Sequence, residues 1–409
     1  MMAIRALTAR LPRASQSVQR LAAASHLQNA VAHGARAFST ENNDDDEAVA
    51  EPVVVEENGV IASIPIAQAT ADDRLKFFAF MKETQEKLLP EGIGRHMENT
   101  FDLMGHRHLM LRDNTLKIIS LMKDWENSKK DASAFVIDGE RGTGKSFALQ
   151  QIVQFARESN WVVLYVPNAR SWCVEAPYVM KSPVDENKFD IDVYGVELLE
   201  KFLHCHGEQL SSIPLRGNYG DRYYPASFTA KPKSTSEYDA STLTLRDLVE
   251  NGIKDEELAC TAVVDLRAEL AKVTEFPVLI AIDEYNMWFE KTVFGFEGKE
   301  VFPSDITVIN ALKDVDAEGH SADRKLVNGL FIAATTENYP SRFDFKKQVN
   351  YRALRTTMRT YTKEELESVV AYYNQVAFLH DKLSESELAY FRLMTKSLPL
   401  NVFDRASFS

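Results

Sequence analysis

Apolar residues along this chain fall into two rhythms. Short unbroken apolar runs mark buried strands at 134–138, 161–166, 278–283 and 330–335, with a weaker candidate across 355–361. Other stretches repeat apolar residues at spacings of three and four, the period of a helix with one buried face. Leu149, Ile152, Val153 and Ala156 form such a stripe after the first strand. Ala259, Val263, Leu266, Leu270 and Val273 form another, within a helix expected over 255–273. Strands separated by helices predict a parallel sheet covered on both faces, an α/β fold.

The flanks read differently. Helices are expected over 72–89 (Leu75, Phe78, Leu88) and 111–125 (Leu116, Ile119, Met122), with His96, His106 and His108 in a polar loop between them. Residues 61–133 thus read as an N-terminal helical extension and 134–361 as the main domain. Within that domain, 170–250 carries Pro177, Pro183, Pro214, Pro225 and Pro232, with Tyr223 and Tyr224. It reads as an insertion between the second and third strands, too long for a simple connection and suited to recognition or to packing on a partner. From Thr362 the chain is helical again. Thr362 with Glu365 and Ser384 with Glu387 fit capping boxes, and Leu366, Val369, Val370 and Tyr373 form a stripe, so 362–409 reads as a small C-terminal helical subdomain.

The chemistry centres on Gly139, Glu140, Arg141, Gly142, Thr143, Gly144, Lys145 and Ser146. This segment, GERGTGKS, fits G-x-x-x-x-G-K-[ST] between a strand and a helix. In a P-loop the glycines let backbone N–H groups converge on phosphate oxygens, and the helix adds its positive end. Lys145 would reach the β- and γ-phosphates, and the Ser146 hydroxyl would ligate Mg²⁺. A dinucleotide fingerprint fails, because its third glycine would fall at Phe147. The run VLIAIDEY ends the third strand in Asp283 and Glu284. Asp283 is placed to hold Mg²⁺ with Ser146, and Glu284 stands where a water-activating base would stand. Thr335, Thr336 and Asn338 end the fourth strand near the expected γ-phosphate. Arg352, Arg355 and Arg359 are weaker candidates to sense phosphate. Asn187, Lys188 and Asp190 spell the N-K-x-D of guanine readers, but polar residues and Pro183 precede them instead of a buried strand, so that assignment is rejected.

Composition narrows the setting. The 409 residues are 45% hydrophobic, ample for a sizeable core, and no apolar run is long enough for a membrane span. Cys173, Cys205 and Cys260 show no CxxC pairing. His204, Cys205 and His206 are adjacent, and adjacent residues on a helix point to different sides, so these three do not easily share one ion. Residues 1–40 contain five arginines, no lysine and no acid, the composition of a mitochondrial transit peptide. Residues 41–57 hold eight acids and no base, so 41–60 reads as an acidic disordered linker. The formal charge is −13, and −18 without residues 1–40, which argues against a broad electrostatic grip on nucleic acid.

On these residues the chain resembles the death-associated protein 3 family, the GTP-binding proteins of the mitochondrial small ribosomal subunit. The likeness covers roughly residues 100–395. It is carried by AFVIDGERGTGKSFALQQIVQFARESNWVVLYVPNARSW at 134–172, LRDLVENGI at 245–253, VLIAIDEYN at 278–286 and YTKEELESVVAYY at 361–373. The resemblance implies an AAA-like P-loop NTPase fold and a bound guanine nucleotide, GTP or GDP, with Mg²⁺. It also implies contacts with small-subunit ribosomal proteins and some ribosomal RNA, in the mitochondrial matrix. The residues themselves do not distinguish GTP from ATP. One departure stands out: the animal members of the family lack an acid after the strand-end aspartate, where this chain has Glu284. Two readings follow, a structural ribosomal component that holds its nucleotide and a mitochondrial AAA-like or signalling ATPase that cycles.

Overall fold

Five of the apolar runs pair into one parallel sheet. The computed structural model describes residues 59–128, 133–314, 325–342, 344 and 353–408. The expected transit peptide, nearly all of the acidic linker and Arg352 lie outside the described residues. In chain order the main elements are β1 (Phe77–Ala79), α1 (Lys82–Leu88), α2 (Arg95–Met104), β2 (His108–Met110), α3 (Asp113–Lys123), β3 (Ala134–Asp138), α4 (Lys145–Glu158) and β4 (Val162–Val166). There follow α5 (Asp192–Leu210), α6 (Leu245–Lys254), α7 (Glu256–Leu270), β5 (Val278–Ile282), α8 (Thr307–Leu312), β6 (Gly329–Ala334) and β7 (Ala353–Thr357). The chain then forms α9 (Lys363–Gln375), α10 (Glu385–Thr395) and α11 (Pro399–Ala406).

The strand order is β7-β3-β6-β5-β4, and every neighbouring pair is parallel. Successive side chains of a strand point to opposite faces, and two cores follow from that alternation. Phe135, Ile137, Val163, Tyr165, Leu279 and Ile332 face α3, α4 and α9. Val136, Val162, Leu164, Ile280, Phe331 and Ala333 face α5, α6, α7 and α8. Strands β3 to β6 are buried on both sides, which is why they read as continuous apolar runs, while the edge strand β7 is partly exposed.

The N-terminal region departs from expectation. In place of a helix over 72–89 there is a capped turn at 70–73, then β1 paired antiparallel with β2, and only α1 is helical. Phe77, Phe78 and Phe80 are all buried. Three aromatics so closely spaced cannot share one helical stripe, whereas a strand sends them to two packed faces. His96 lies in α2 and His108 in β2 instead of in one loop. The region also covers the outer face of α4. Gln150 donates to the Ile93 carbonyl and Gln151 to that of Leu109. Arg157 pairs with Glu91, each side chain under 4% exposed. Thus α4 is buried nearly all round, where the apolar stripe alone predicted one buried face.

Residues 170–250 are less of an interruption than their prolines imply. They contain the 19-residue α5, whose Leu198, Leu199 and Phe202 are core residues. Of the tyrosines in this region, Tyr223 is fully buried with its hydroxyl on Asp265, and the Tyr219 hydroxyl donates to Glu269. These side chains fasten the loop to α7. The edge strand β7 starts earlier than expected because it pairs with β3 in register, Thr357 opposite Asp138. Both capping boxes of the C-terminal region are formed.

Candidate functional site

At its C-terminal end β3 runs into the glycine-rich loop, and the backbone there takes shapes that other residues resist. Gly139 has φ +139°, and a Cβ on it would lie 2.2 Å from the Met358 carbonyl oxygen. Gly142 has φ +82°, with Leu400 of α11 against it at 2.7 Å from the same hypothetical atom. The amide of Leu400 donates to the Gly142 carbonyl at 3.1 Å. The loop is therefore packed from outside by the chain after β7 and by α11, while the space beyond Gly144 is open. Gly144 caps α4, so the first-turn amides of Lys145 and Ser146 have no partners within the helix and are free to face an anion.

The structure brings Ser146 and Asp283 together. Both line one cavity at the end of the sheet where β6 stands between β3 and β5, and the Ser146 hydroxyl acts on the Asp283 carboxyl. Asp283 is 4% exposed, and burial raises its carboxyl to about 6 against the pull of Ser146, the Glu284 amide and Lys145. Glu284 follows in a left-handed conformation at φ 56°. Burial first, and then the neighbouring Asp283, raises its carboxyl to about 7, while Arg170 pulls it down. Lys145 Nζ donates to the carbonyls of Gly139 at 2.6 Å and Glu140 at 2.8 Å. Burial lowers its pKa, and Glu337, Asp283 and Asp138 partly restore it.

All of these groups open onto one cavity of about 700 Å³, the size class of small-molecule and cofactor sites. Arg141, Gly142, Thr143, Gly144, Lys145, Ser146, Asp283 and Glu284 line it, together with apolar residues that include Met97, Leu109, Tyr361 and Phe403. The residues fit a polyphosphate with a divalent cation. The loop offers amides and an ammonium, and Ser146 and Asp283 offer hard oxygen donors side by side. Gly139 and Glu140 are not among the lining residues; their carbonyls accept from Lys145 Nζ. Thr335, Thr336 and Asn338 also line the cavity. Thr336 is fixed by a two-way hydrogen bond with Asn286, at 2.7 and 2.9 Å. Arg355 lies elsewhere, paired with the buried Asp138, and exposed Arg359 is not among the lining residues.

Three lining residues escape a reading by motif. Arg112 donates to the Thr143 carbonyl at 2.9 Å and to the Arg359 carbonyl, and pairs with Glu365 at 2.8 Å. Arg170 sits over the Tyr339 ring at 4.0 Å. Glu337 accepts from the Arg141 amide at 3.2 Å, so a carboxylate occupies one loop donor. The only signal for Glu337 was its place in the polar run after β6. Arg112 lies before the motif, and no spacing rule reaches it.

With this geometry in view, the chain can be compared with known proteins. The family described as mitochondrial ribosomal death-associated protein 3 matches residues 109–396. That range includes the loop, Asp283 and the strand-end residues of β6, and leaves out β1, α2 and α11. The small ribosomal subunit protein mS29 of Bos taurus is 26% identical over 209 residues, 50% of this chain and 49% of that protein. The protein of the same name from Mus musculus is 24% identical over 311 residues, 73% of this chain and 76% of its own length. The matched region thus spans about half of the bovine relative and three quarters of the murine one.

Proposed function

This chain belongs to the mitochondrial ribosomal death-associated protein 3 family, and from that premise we propose that it is a component of the mitochondrial small ribosomal subunit, with an AAA-like P-loop domain that holds a guanine nucleotide and Mg²⁺. The name of the two relatives carries the ribosomal part of this reading. Ser146 and Asp283, lining one cavity beside the open loop, carry the nucleotide part. In this assignment the amides from Gly142 to Ser146 orient the phosphates, Lys145 supplies charge, and Ser146 with Asp283 holds Mg²⁺, which would neutralise the β- and γ-oxygens. A charge of −18 beyond residue 40 favours protein neighbours as the main contacts and gives ribosomal RNA a smaller share. Residues 1–40 supply mitochondrial targeting, and the matrix is the working compartment.

A second reading, a cycling hydrolase, is favoured by one observation. Glu284 lines the cavity next to Asp283 with a carboxyl near 7, the range of a working general base. One experiment addresses both. The protein is purified gently from mitochondria and run on a density gradient, and the nucleotide it retains is identified by mass. Co-sedimentation with the small subunit and a retained guanine nucleotide that Lys145→Ala loses are the expected results. Migration only in free fractions would sink the ribosomal assignment. Occupancy unchanged in Lys145→Ala would sink the site. Turnover of several per second, lost in Glu284→Gln, would move the reading to the cycling enzyme.

A further inference from the structure

On the sheet face covered by α5 to α8, three metal-binding side chains meet. Asp190 ends the short strand Phe189–Asp190, Asp192 is the first residue of α5, and Cys260 lies in α7. A carboxylate oxygen from each aspartate and the cysteine Sγ lie within 4.8 Å of one another. Exposures are 1%, 7% and 0%. Asp190 Oδ1 accepts from the Thr307 hydroxyl of α8, but Asp190 Oδ2 and Asp192 Oδ1 have no hydrogen-bond partner. The Ser182 hydroxyl approaches Asp190 without satisfying that oxygen. The charged groups that act on the trio from outside are the acids Glu256 and Glu257 of α7.

Buried carboxylates are ordinarily paired, fully hydrogen-bonded or bound to a metal. This pair has two buried carboxylate oxygens without a hydrogen-bond partner, more acid around it, and a thiol as its third corner. Mg²⁺ and Ca²⁺ take oxygen donors, whereas a thiolate with two carboxylates suits zinc. We propose that Asp190, Asp192 and Cys260 bind one zinc ion, which ties the entry of α5 to α7 at a site separate from the P-loop cavity. None of the three lines that cavity. Zinc bonds of about 2.0–2.3 Å set tetrahedral ligand atoms roughly 3.3–3.8 Å apart, so the corners must close by about 1 Å, within reach of side-chain rotation. Thr307 Oγ1, already on Asp190, or a water supplies the fourth position. On binding, the Cys260 thiol exchanges its proton for the metal and the proton passes to solvent. No electron moves.

The test uses the full chain with cobalt(II) as a spectroscopic probe, then zinc. One equivalent of cobalt should give a thiolate-to-metal charge-transfer band that zinc bleaches. The band should persist in Cys205→Ser and Lys145→Ala and vanish in Cys260→Ser. Asp192→Asn should weaken zinc binding at least tenfold. If folded wild-type protein gives no such band, or if the band belongs to Cys205, the proposal is overturned. The wild-type spectrum needs no variant, so a Cys260 substitution that failed to fold would not rescue the idea. The test is also independent of the nucleotide site.

Discussion

At the scale of single residues, Glu284 is the most informative position. Its folded pKa of about 7 lies above the ordinary 4.5, so the folded chain holds that proton more tightly than the unfolded one. Below pH 4.5 both states are protonated and the contribution is fully present. It is lost as pH rises through 7. Asp283 acts in the same direction between 3.8 and about 6. In nucleotide-free protein with a chelator present, stability should therefore fall from pH 4.5 to 7.5. Glu284→Gln, which cannot titrate, should remove about 3 kcal/mol of that fall. Chemical denaturation at several pH values measures it, and parallel curves for both proteins would refute the assignment. That Arg141 to Ser146, Asp283 and Glu284 share one cavity was readable, because the G-x-x-x-x-G-K-[ST] spacing and the acidic strand end single those residues out. Glu337 and Arg170 were not, since each acts by position in a loop whose path only the fold determines.

At the scale of elements, the loop from β3 to α4 depends on what is stacked upon it. The Met358 carbonyl crosses so close to Gly139 that Gly139→Ala must displace the chain that follows β7. We expect a loss of roughly 2–4 kcal/mol, with faster amide exchange in β7 and the loop. Unchanged exchange at Met358, whose amide bonds the Asp138 carbonyl, would contradict this contact. Four of the five sheet strands and the helices α4, α7 and α9 were legible in periodicity because each buries apolar residues, whereas the partly exposed edge strand β7 gave only a weak signal. The region before β3 was not. Leu75, Phe78 and Leu88 suggested a helix there, and only tertiary pairing with β2 made 77–79 a strand. Likewise α5 was hidden by the prolines around it, although its own 19 residues contain none.

At the scale of the whole molecule, Arg112 joins parts of the chain that lie far apart in sequence. Its partner Glu365 is 253 residues away, and both side chains are nearly buried, at 11% and 6% exposed. Removing one partner strands the other's charge, so Arg112→Met should cost about 3–5 kcal/mol, and adding Glu365→Leu should restore most of it. Thermal denaturation of the four proteins in the cycle tests this, and simple additivity would show that the pair does not couple. Sequence spacing cannot foresee such a link, because nothing local at residue 112 marks it.

That link has a consequence for when the glycine-rich loop takes its final shape. Thr143 rests on Arg112, Gly142 on Leu400, and Gly139 beneath Met358. A nascent or truncated chain that has not yet brought these distant segments together has the motif but not its scaffolding. Capture of a ligand there would mark completed folding, and a ribosome that accepted only loaded copies would be inspecting the finished product.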